Sequence, residues 1–251
     1  MSWILTITTA DEQVDPIIER LWDLGTSGIA TLPADASSDC RLLAGFDNEA
    51  NAETAHAALG GTIGPVDPTD WATPTPADIA VGDHVLTIDA GQSFGHGGHP
   101  TTQLCLRALE RHLRPGRSVL DVGSGSGVLA MAAKALGAGT VTAIDIDPAA
   151  VAATRANAAA NGLSVDTSAI DIAELRGSFD LVVVNMLIAE LEPIASHVRR
   201  LANDLIIVSG ALVEQRDRVH ASLGVAAEVI EQTVDGEWIG DTLRVDQEPP
   251  A

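Results

Sequence analysis

One segment constrains the fold of this sequence more than any other, a short apolar run that leads directly into alternating glycines. It reads Ser118-Val-Leu-Asp-Val-Gly123-Ser-Gly125-Ser-Gly127. The apolar part is typical of a buried strand, while the glycines permit a tight turn and a close approach of a ligand to the backbone. Helical periodicity follows the last glycine, so we predict a strand, a ligand-binding turn and a helix of an α/β sheet.

The second half of the chain alternates between predicted strands and helices. The strands are predicted over residues 118–122, 140–145, 165–169, 179–184, 205–209, 226–232 and 238–245. The helices are predicted over residues 127–137, 148–160, 187–202 and 212–223. This alternation predicts a mostly parallel sheet with helices on both of its faces.

The front of the chain has a different pattern. Strands are predicted over residues 3–8, 28–32 and 41–46, and helices over 11–24 and 49–59. This β-α-β-β-α order is typical of a small α+β domain of the ferredoxin-like kind. Four prolines within residues 64–80 indicate a semi-rigid connector. We therefore predict a small domain over 1–64, a linker over 65–84 and an α/β domain over 85–251.

Composition limits the possible partners and the cellular location. The 251 residues carry a formal charge of -21, which disfavours a broad electrostatic grip on nucleic-acid phosphates. No apolar stretch approaches the roughly 20 residues that cross a bilayer, and the N-terminus is predicted to be a strand rather than a signal peptide. Cys40 and Cys105 lack metal-ligand spacing and are interpreted as isolated thiols. We expect a cytoplasmic protein that contacts neither membranes nor nucleic acid.

An acidic residue downstream of the glycines indicates the class of cofactor. Asp145 lies 22 residues after Gly123 at the end of the next predicted strand, where a carboxylate can accept hydrogen bonds from both ribose hydroxyls. The dinucleotide fingerprint would require glycine at the position of Val128. Asp121, inside the first strand, could meet the ammonium of a methionine group, whereas a pyrophosphate prefers an uncluttered helix N-terminus. These residues favour S-adenosylmethionine over NAD.

Asn185 ends the predicted strand 179–184 and is the candidate catalytic residue. The carboxyl edge of a parallel sheet is where open α/β folds bind ligands. The carboxamide oxygen there could steer a substrate amine, because an amide both donates and accepts hydrogen bonds. The alternative is that Asn185 caps the following helix.

Four motifs together resemble the PrmA family of methyltransferases. They are Phe94-Gly-His-Gly-Gly-His-Pro-Thr-Thr102, Ile144-Asp-Ile-Asp-Pro148, Asn185-Met-Leu and Val208-Ser-Gly-Ala-Leu. The resemblance covers roughly residues 85–245. It implies a class I methyltransferase fold with a Rossmann-like seven-stranded sheet, preceded by the small α+β domain. The implied activity is methyl transfer from S-adenosylmethionine to lysine amino groups of a ribosomal protein of the large subunit.

The resemblance also implies roles for individual residues. Thr102, Gly123, Asp145 and Asn185 match the positions at which family members contact the cofactor, and Phe94 matches the loop that closes over it. Thr102 would bond to the amino-acid end of the cofactor or to the substrate.

Expectations for four further positions come from the residues themselves. Asp121 and Gly125 are assigned to the methionine part of the cofactor. His96 and His99 are not expected to bind a metal, because no third ligand lies nearby in the sequence.

Two other functions stay open from the sequence. The first is a methyltransferase for another protein lysine, a small molecule or RNA, and the second is a catalytically silent cofactor-binding module. The acidic charge and the missing Asn-Pro-Pro-aromatic motif of base-amine methyltransferases disfavour RNA. Negative charge favours a basic partner, which agrees with the basic ribosomal protein that the resemblance implies as the substrate. A monomer is the expected state of the enzyme.

Overall fold

The computed structural model describes residues 3–10, 13–26, 28–33, 39–46, 48–65, 76–89, 97–224 and 228–245. The chain divides into two compact units, Met1–Thr73 and Pro74–Ala251. Each unit has its own hydrophobic core. None of the helices within these ranges is both long and apolar enough to cross a bilayer.

The first unit is an antiparallel sheet with two helices. Its elements are β1 (Trp3–Ala10), α1 (Val14–Asp23), β2 (Gly28–Pro33), β3 (Asp39–Phe46), α2 (Glu49–Leu59) and β4 (Thr62–Pro65). The strand order is β2-β3-β1-β4, and each neighbouring pair is antiparallel. Leu5, Leu21, Leu42 and Phe46 are fully buried between sheet and helices. The short strand β4 was not predicted, and it completes the β-α-β-β-α-β order of a ferredoxin-like domain.

The second unit begins with a hairpin that the sequence analysis assigned in part to a linker. Strands β5 (Ala77–Val81) and β6 (His84–Ile88) pair antiparallel, and Ile79, Val81, Leu86 and Ile88 are buried in the core of this unit. The predicted linker 65–84 therefore extends too far at its C-terminal end, because burial of these apolar side chains outweighs the nearby prolines. Residues 66–75 lie outside the described ranges.

The rest of the second unit is a seven-stranded sheet with helices on both faces. Its helices are α3 (Pro100–His112), α4 (Val128–Ala135), α5 (Pro148–Ala160), α6 (Ile188–Leu201) and α7 (Arg216–Ser222). Its strands are β7 (Ser118–Val122), β8 (Thr140–Ile144), β9 (Asp166–Ser168), β10 (Phe179–Asn185), β11 (Ala202–Leu212), β12 (Glu228–Asp235) and β13 (Trp238–Arg244). The predicted alternation is thus confirmed, although the helix predicted over 212–223 begins later, after a 3-10 turn, Val213–Gln215.

The strand order of the large sheet is β12-β13-β11-β10-β7-β8-β9. The strands β7 to β11 run parallel, whereas β13 is antiparallel to both of its neighbours. Successive residues of β10 enter different cores: Val183 packs with α3 and α4, while Val182 and Val184 pack with α6. Because both faces are covered, the central strands are continuously apolar. The predicted class I topology is confirmed, and the carboxyl ends of β7, β8 and β10 meet at one edge.

Candidate functional site

The glycine turn after β7 is held against the end of β8. The backbone N–H groups of Gly123 and Ser124 both donate to the carbonyl oxygen of Ile144, at 2.9 and 3.1 Å. Gly127, with φ of 82°, begins α4, and a Cβ there would lie 2.6 Å from Cγ2 of Thr154. Glycine is required at this position because the left-handed backbone and the neighbouring helix leave no room for a side chain.

Asp145 follows β8 and bonds directly to this turn. Its Oδ2 accepts a hydrogen bond from the backbone N–H of Gly125 at 3.0 Å, and its Oδ1 accepts one from Asp147 at 2.9 Å. Each carboxylate oxygen has a second lone pair, so the half-buried group can still accept hydrogen bonds from a ligand. The sequence analysis missed the next residue, Ile146, whose side chain is 83% exposed beside this carboxylate. An apolar side chain so exposed at a ligand-binding edge offers a surface for an apolar ring.

Asp121 lies beneath the turn and is almost completely buried. Its Oδ2 accepts a hydrogen bond from the backbone N–H of Ala130 at 3.0 Å, which satisfies a donor in the first turn of α4. Burial raises the pKa of its carboxyl group to about 7; the Ala130 N–H acts against this rise and the charge of Asp145 adds to it. The visible contact of Asp121 is thus structural, and its assignment to the cofactor stays a prediction.

Asn185 ends β10 and reaches a buried residue of α3. Its Nδ2 donates to Oγ1 of Thr102 at 3.4 Å, although 83 residues separate the two in the sequence. Thr102 is fully buried, whereas Asn185 is partly exposed. Helix α6 begins after Leu187 without a side-chain cap. The alternative interpretation of Asn185 as the cap of this helix is therefore wrong, and its carboxamide oxygen can face a ligand.

Glu190 is a second residue that the sequence analysis missed. It lies in the first turn of α6, and burial raises the pKa of its carboxyl group; the N–H of Leu187 acts against this rise and the charge of Asp145 adds to it. Because α6 follows the carboxyl end of β10, Glu190 lies at the same edge of the sheet as Asp145. Its position five residues after Asn185 was the only available signal in the sequence.

Two histidines were considered as metal ligands, and one of them lies within the described ranges. His99 caps α3: its Nδ1 lies 2.8 Å from Oγ1 of Thr101 and accepts a hydrogen bond from the Thr101 backbone at 3.4 Å. Its ring packs edge-on against Trp238, with centroids 5.3 Å apart. His96 and the cofactor candidate Phe94 lie outside the described ranges. Where the structure describes the chain, no group of three or more His, Cys, Asp or Glu residues could hold a metal ion.

A cavity of about 310 Å³ lies at the opposite, amino edge of the sheet. Arginine side chains dominate its charged lining, but most of them are paired. Arg117 bonds to Asp180 at 3.1 Å and approaches Asp204 at 3.3 Å. Arg244 pairs with Glu228 at 2.6 Å. This network joins strand ends and contains no glycine turn, so the cavity is not the candidate cofactor site.

Comparison with known proteins identifies relatives of this chain. The family model described as ribosomal protein L11 methyltransferase (PrmA) matches residues 65–244. The ribosomal protein L11 methyltransferase of Geobacter metallireducens is 38% identical over 213 residues, which cover 73% of this chain and 71% of that protein. The one of Cupriavidus necator is 32% identical over 268 residues, which cover 86% and 89%.

Solved structures extend the comparison to the fold. The crystal structure of a ribosomal protein L11 methylase from Lactobacillus delbrueckii subsp. bulgaricus is similar with a TM-score of 0.58 and 32% identity, covering 64% of this chain and 83% of that one. A 16S rRNA N2 G1207 methyltransferase of T. thermophilus reaches a TM-score of 0.59 at 16% identity, covering 97% and 65%. At that identity the second similarity supports the fold alone.

Proposed function

The chain belongs to the ribosomal protein L11 methyltransferase (PrmA) family, and from this premise we propose that it transfers methyl groups from S-adenosylmethionine to lysine amino groups of a ribosomal protein. One observation carries the proposal. The glycine turn, the Asp145 carboxylate and the Asn185–Thr102 pair all lie where the parallel strands β7, β8 and β10 end. That edge is where open α/β sheets bind their ligands.

The residues at this edge fit an adenosine cofactor that carries a methionine group. Asp145 would accept hydrogen bonds from the ribose, and the exposed side chain of Ile146 would pack against the purine. Gly123 and Gly125 would let the methionine part approach the backbone, since neither residue carries a side chain. When bound, the cofactor supplies a methyl group that is already electrophilic because it is attached to a sulfonium. The protein therefore contributes mainly positioning and exclusion of water.

Asn185 would orient the substrate amine. Because its Nδ2 donates to Thr102, its Oδ1 is left to accept a hydrogen bond from the incoming N–H. A lysine ammonium must lose one proton before its nitrogen can attack. Water is one acceptor, and the carboxylate of Glu190, in the first turn of the helix that follows β10, is another.

The proposed substrate is a basic ribosomal protein. The names of the similar proteins support this class of substrate, and a charge of -21 would attract a lysine-rich partner over a distance that shortens with salt. We assign recognition to the first unit, which carries twelve acidic residues against two arginines within residues 1–73. Because the proposed substrate is assembled into ribosomes in the cytoplasm, we propose the cytoplasm as the location of this protein.

Incubation with isotope-labelled S-adenosylmethionine and a total ribosomal extract tests the proposal. Mass spectrometry of the separated proteins and RNA should find label on lysine residues of the protein homologous to L11. Label on RNA alone, or on no macromolecule, would reject the proposed substrate. Repeating the reaction after deletion of residues 1–64 should abolish protein labelling while S-adenosylhomocysteine still binds. Equal labelling by the truncated enzyme would refute recognition by the first unit.

A further inference from the structure

Strand β11 pairs with the end of β10 at the position of Asn185. The two parallel strands pair Asn185 with Ser209, and the carbonyl oxygen of Ser209 accepts a hydrogen bond from the backbone N–H of Met186 at 3.2 Å. Ser209 is fully buried, and its hydroxyl donates to the carbonyl oxygen of Ile239 at 2.6 Å. The backbone on which the Asn185 carboxamide is mounted is therefore tied into the centre of the sheet.

The residue after Ser209 lies close against the backbone of Met186. Gly210 has φ of 89°, and a Cβ there would lie 2.4 Å from the carbonyl oxygen, 2.6 Å from the carbonyl carbon and 2.7 Å from the nitrogen of Met186. All three are backbone atoms, which cannot rotate away as a flexible side chain could. A methyl group at position 210 must displace the peptide that directly follows Asn185.

Thr102 contacts the side chain of Asn185. Its buried hydroxyl receives Nδ2 of Asn185 at 3.4 Å, and α3 fixes its position because Leu104, Cys105 and Leu109 of that helix are buried in the core. Because a hydroxyl both donates and accepts hydrogen bonds, this contact can hold the carboxamide in place whichever of its two ends faces Thr102. The hydroxyl thus restrains the position of the Asn185 side chain.

We propose that Gly210 and Thr102 are positioning residues for Asn185: Gly210 sets where its backbone lies, and Thr102 restrains its carboxamide. The proposal rests on the proposed function of Asn185. Family resemblance implies that Thr102 contacts the cofactor directly. The proposal instead assigns Thr102 to the positioning of Asn185.

Gly210→Ala compared with Gly224→Ala tests the backbone part. Gly224 also has positive φ, 64°, but no atom lies within 4 Å of a Cβ placed there, so this control carries the backbone strain without the collision. We expect Gly210→Ala to lower kcat about tenfold or more, since small displacements of reacting groups are costly. Affinity for S-adenosylhomocysteine, measured by calorimetry, should stay within about threefold, and Gly224→Ala should leave kcat within about twofold. Equal kcat in the two variants would overturn the proposal for Gly210.

Thr102→Val and Thr102→Ser test the side-chain part of the proposal and remain informative even if Gly210→Ala does not fold. Valine keeps the shape and removes the hydroxyl, so kcat should fall about tenfold, and serine should restore most of it. S-adenosylhomocysteine should bind Thr102→Val as tightly as it binds the wild type. Weaker binding by Thr102→Val would overturn the positioning role and return Thr102 to the cofactor.

A readout without turnover separates this proposal from the proposed function. The side-chain amide resonance of Asn185, assigned by its absence in Asn185→Ala, should shift in Gly210→Ala and Thr102→Val and stay in place in Gly224→Ala. An unchanged resonance in both test variants would reject the proposal. A shifted resonance in an enzyme that methylates no protein would keep the positioning and reject only the proposed substrate.

Discussion

The two edges of the seven-stranded sheet place their carboxyl groups in opposite electrostatic surroundings. At the carboxyl edge, burial raises the pKa values of Asp121 and Glu190, and the charge of Asp145 raises both further. At the amino edge the pKa of Asp180 is lowered, first by the backbone N–H of Ser118 and then by Arg117. The pKa of Glu231 is lowered as well, because bonds from His112 and Arg111 outweigh its burial.

This difference distinguishes a site from a structural network. Carboxylates that already pair with arginines join strand ends. The energy of these ion pairs stabilises the folded protein and needs no ligand. Asp121 and Glu190, whose pKa values are raised by burial and by the charge of Asp145, lack such compensation and would gain it from a positively charged ligand. The ammonium and sulfonium of S-adenosylmethionine and the ammonium of lysine are ligands of that kind.

The largest expected effect concerns the stability contributed by Asp121. Its folded pKa of about 7 lies above the unfolded value of 3.8, so its contribution to stability is fully present below 3.8 and is lost as the pH rises to about 7. Asp121→Asn removes this loss and keeps an oxygen that can accept from Ala130. Relative to the wild type, the free energy of unfolding of the variant should rise by on the order of 4 kcal/mol between pH 4 and pH 7, and it should not rise further above pH 7. Denaturant unfolding at several pH values measures the difference, and parallel curves for the two proteins would contradict it.

A smaller effect, on turnover, is expected at Asn185. Asn185→Ala should lower kcat about a hundredfold, because one oriented hydrogen bond at the reacting group is lost, while affinity for S-adenosylhomocysteine changes little. Asn203→Ala, on the neighbouring strand β11 at the amino edge, is the matched control and should leave kcat unchanged. Steady-state kinetics at saturating cofactor measures both. Equal turnover in both variants would show that Asn185 has no part in the reaction.

The smallest effect is expected at Asp180. Its pKa is lowered in the fold, so its contribution to stability is present above the unfolded pKa and is lost as the pH falls through the lower folded value. Asp180→Asn should reduce the free energy of unfolding by about 1 kcal/mol at pH 7, with the loss shrinking in acid, since the pair is partly exposed. Activity per folded molecule should not change. A loss that grows in acid would contradict the assigned direction, which is opposite to that of Asp121.

The sequence was sufficient for the features that depend on local pattern. The strand-turn-helix at Gly123–Gly127, the carboxylate of Asp145 and the strand-ending Asn185 were placed at one edge because the carboxyl ends of parallel strands meet. The strand and helix alternation likewise predicted the seven-stranded sheet.

Features that depend on contacts between distant residues were not predictable. The hairpin β5–β6 was assigned in part to a linker, because the prolines that precede it are visible in the sequence and the core that buries Ile79 is not. The bond between Thr102 and Asn185 and the contact of Gly210 with Met186 join residues far apart in the chain. The raised pKa of Asp121 depends on burial, which a strand pattern indicates only in part.

Calorimetric titration with S-adenosylhomocysteine tests most directly whether the carboxyl edge is the cofactor site. Asp145→Ala should weaken binding by roughly 1.5–3 kcal/mol, the range for a hydrogen bond to a charged group. Asp204→Ala, which removes an ion-pair partner of Arg117 at the amino edge, should bind as the wild type does. Thermal unfolding of both variants confirms that each is folded. Unchanged affinity in Asp145→Ala, or a loss of affinity in Asp204→Ala, would contradict this location of the cofactor.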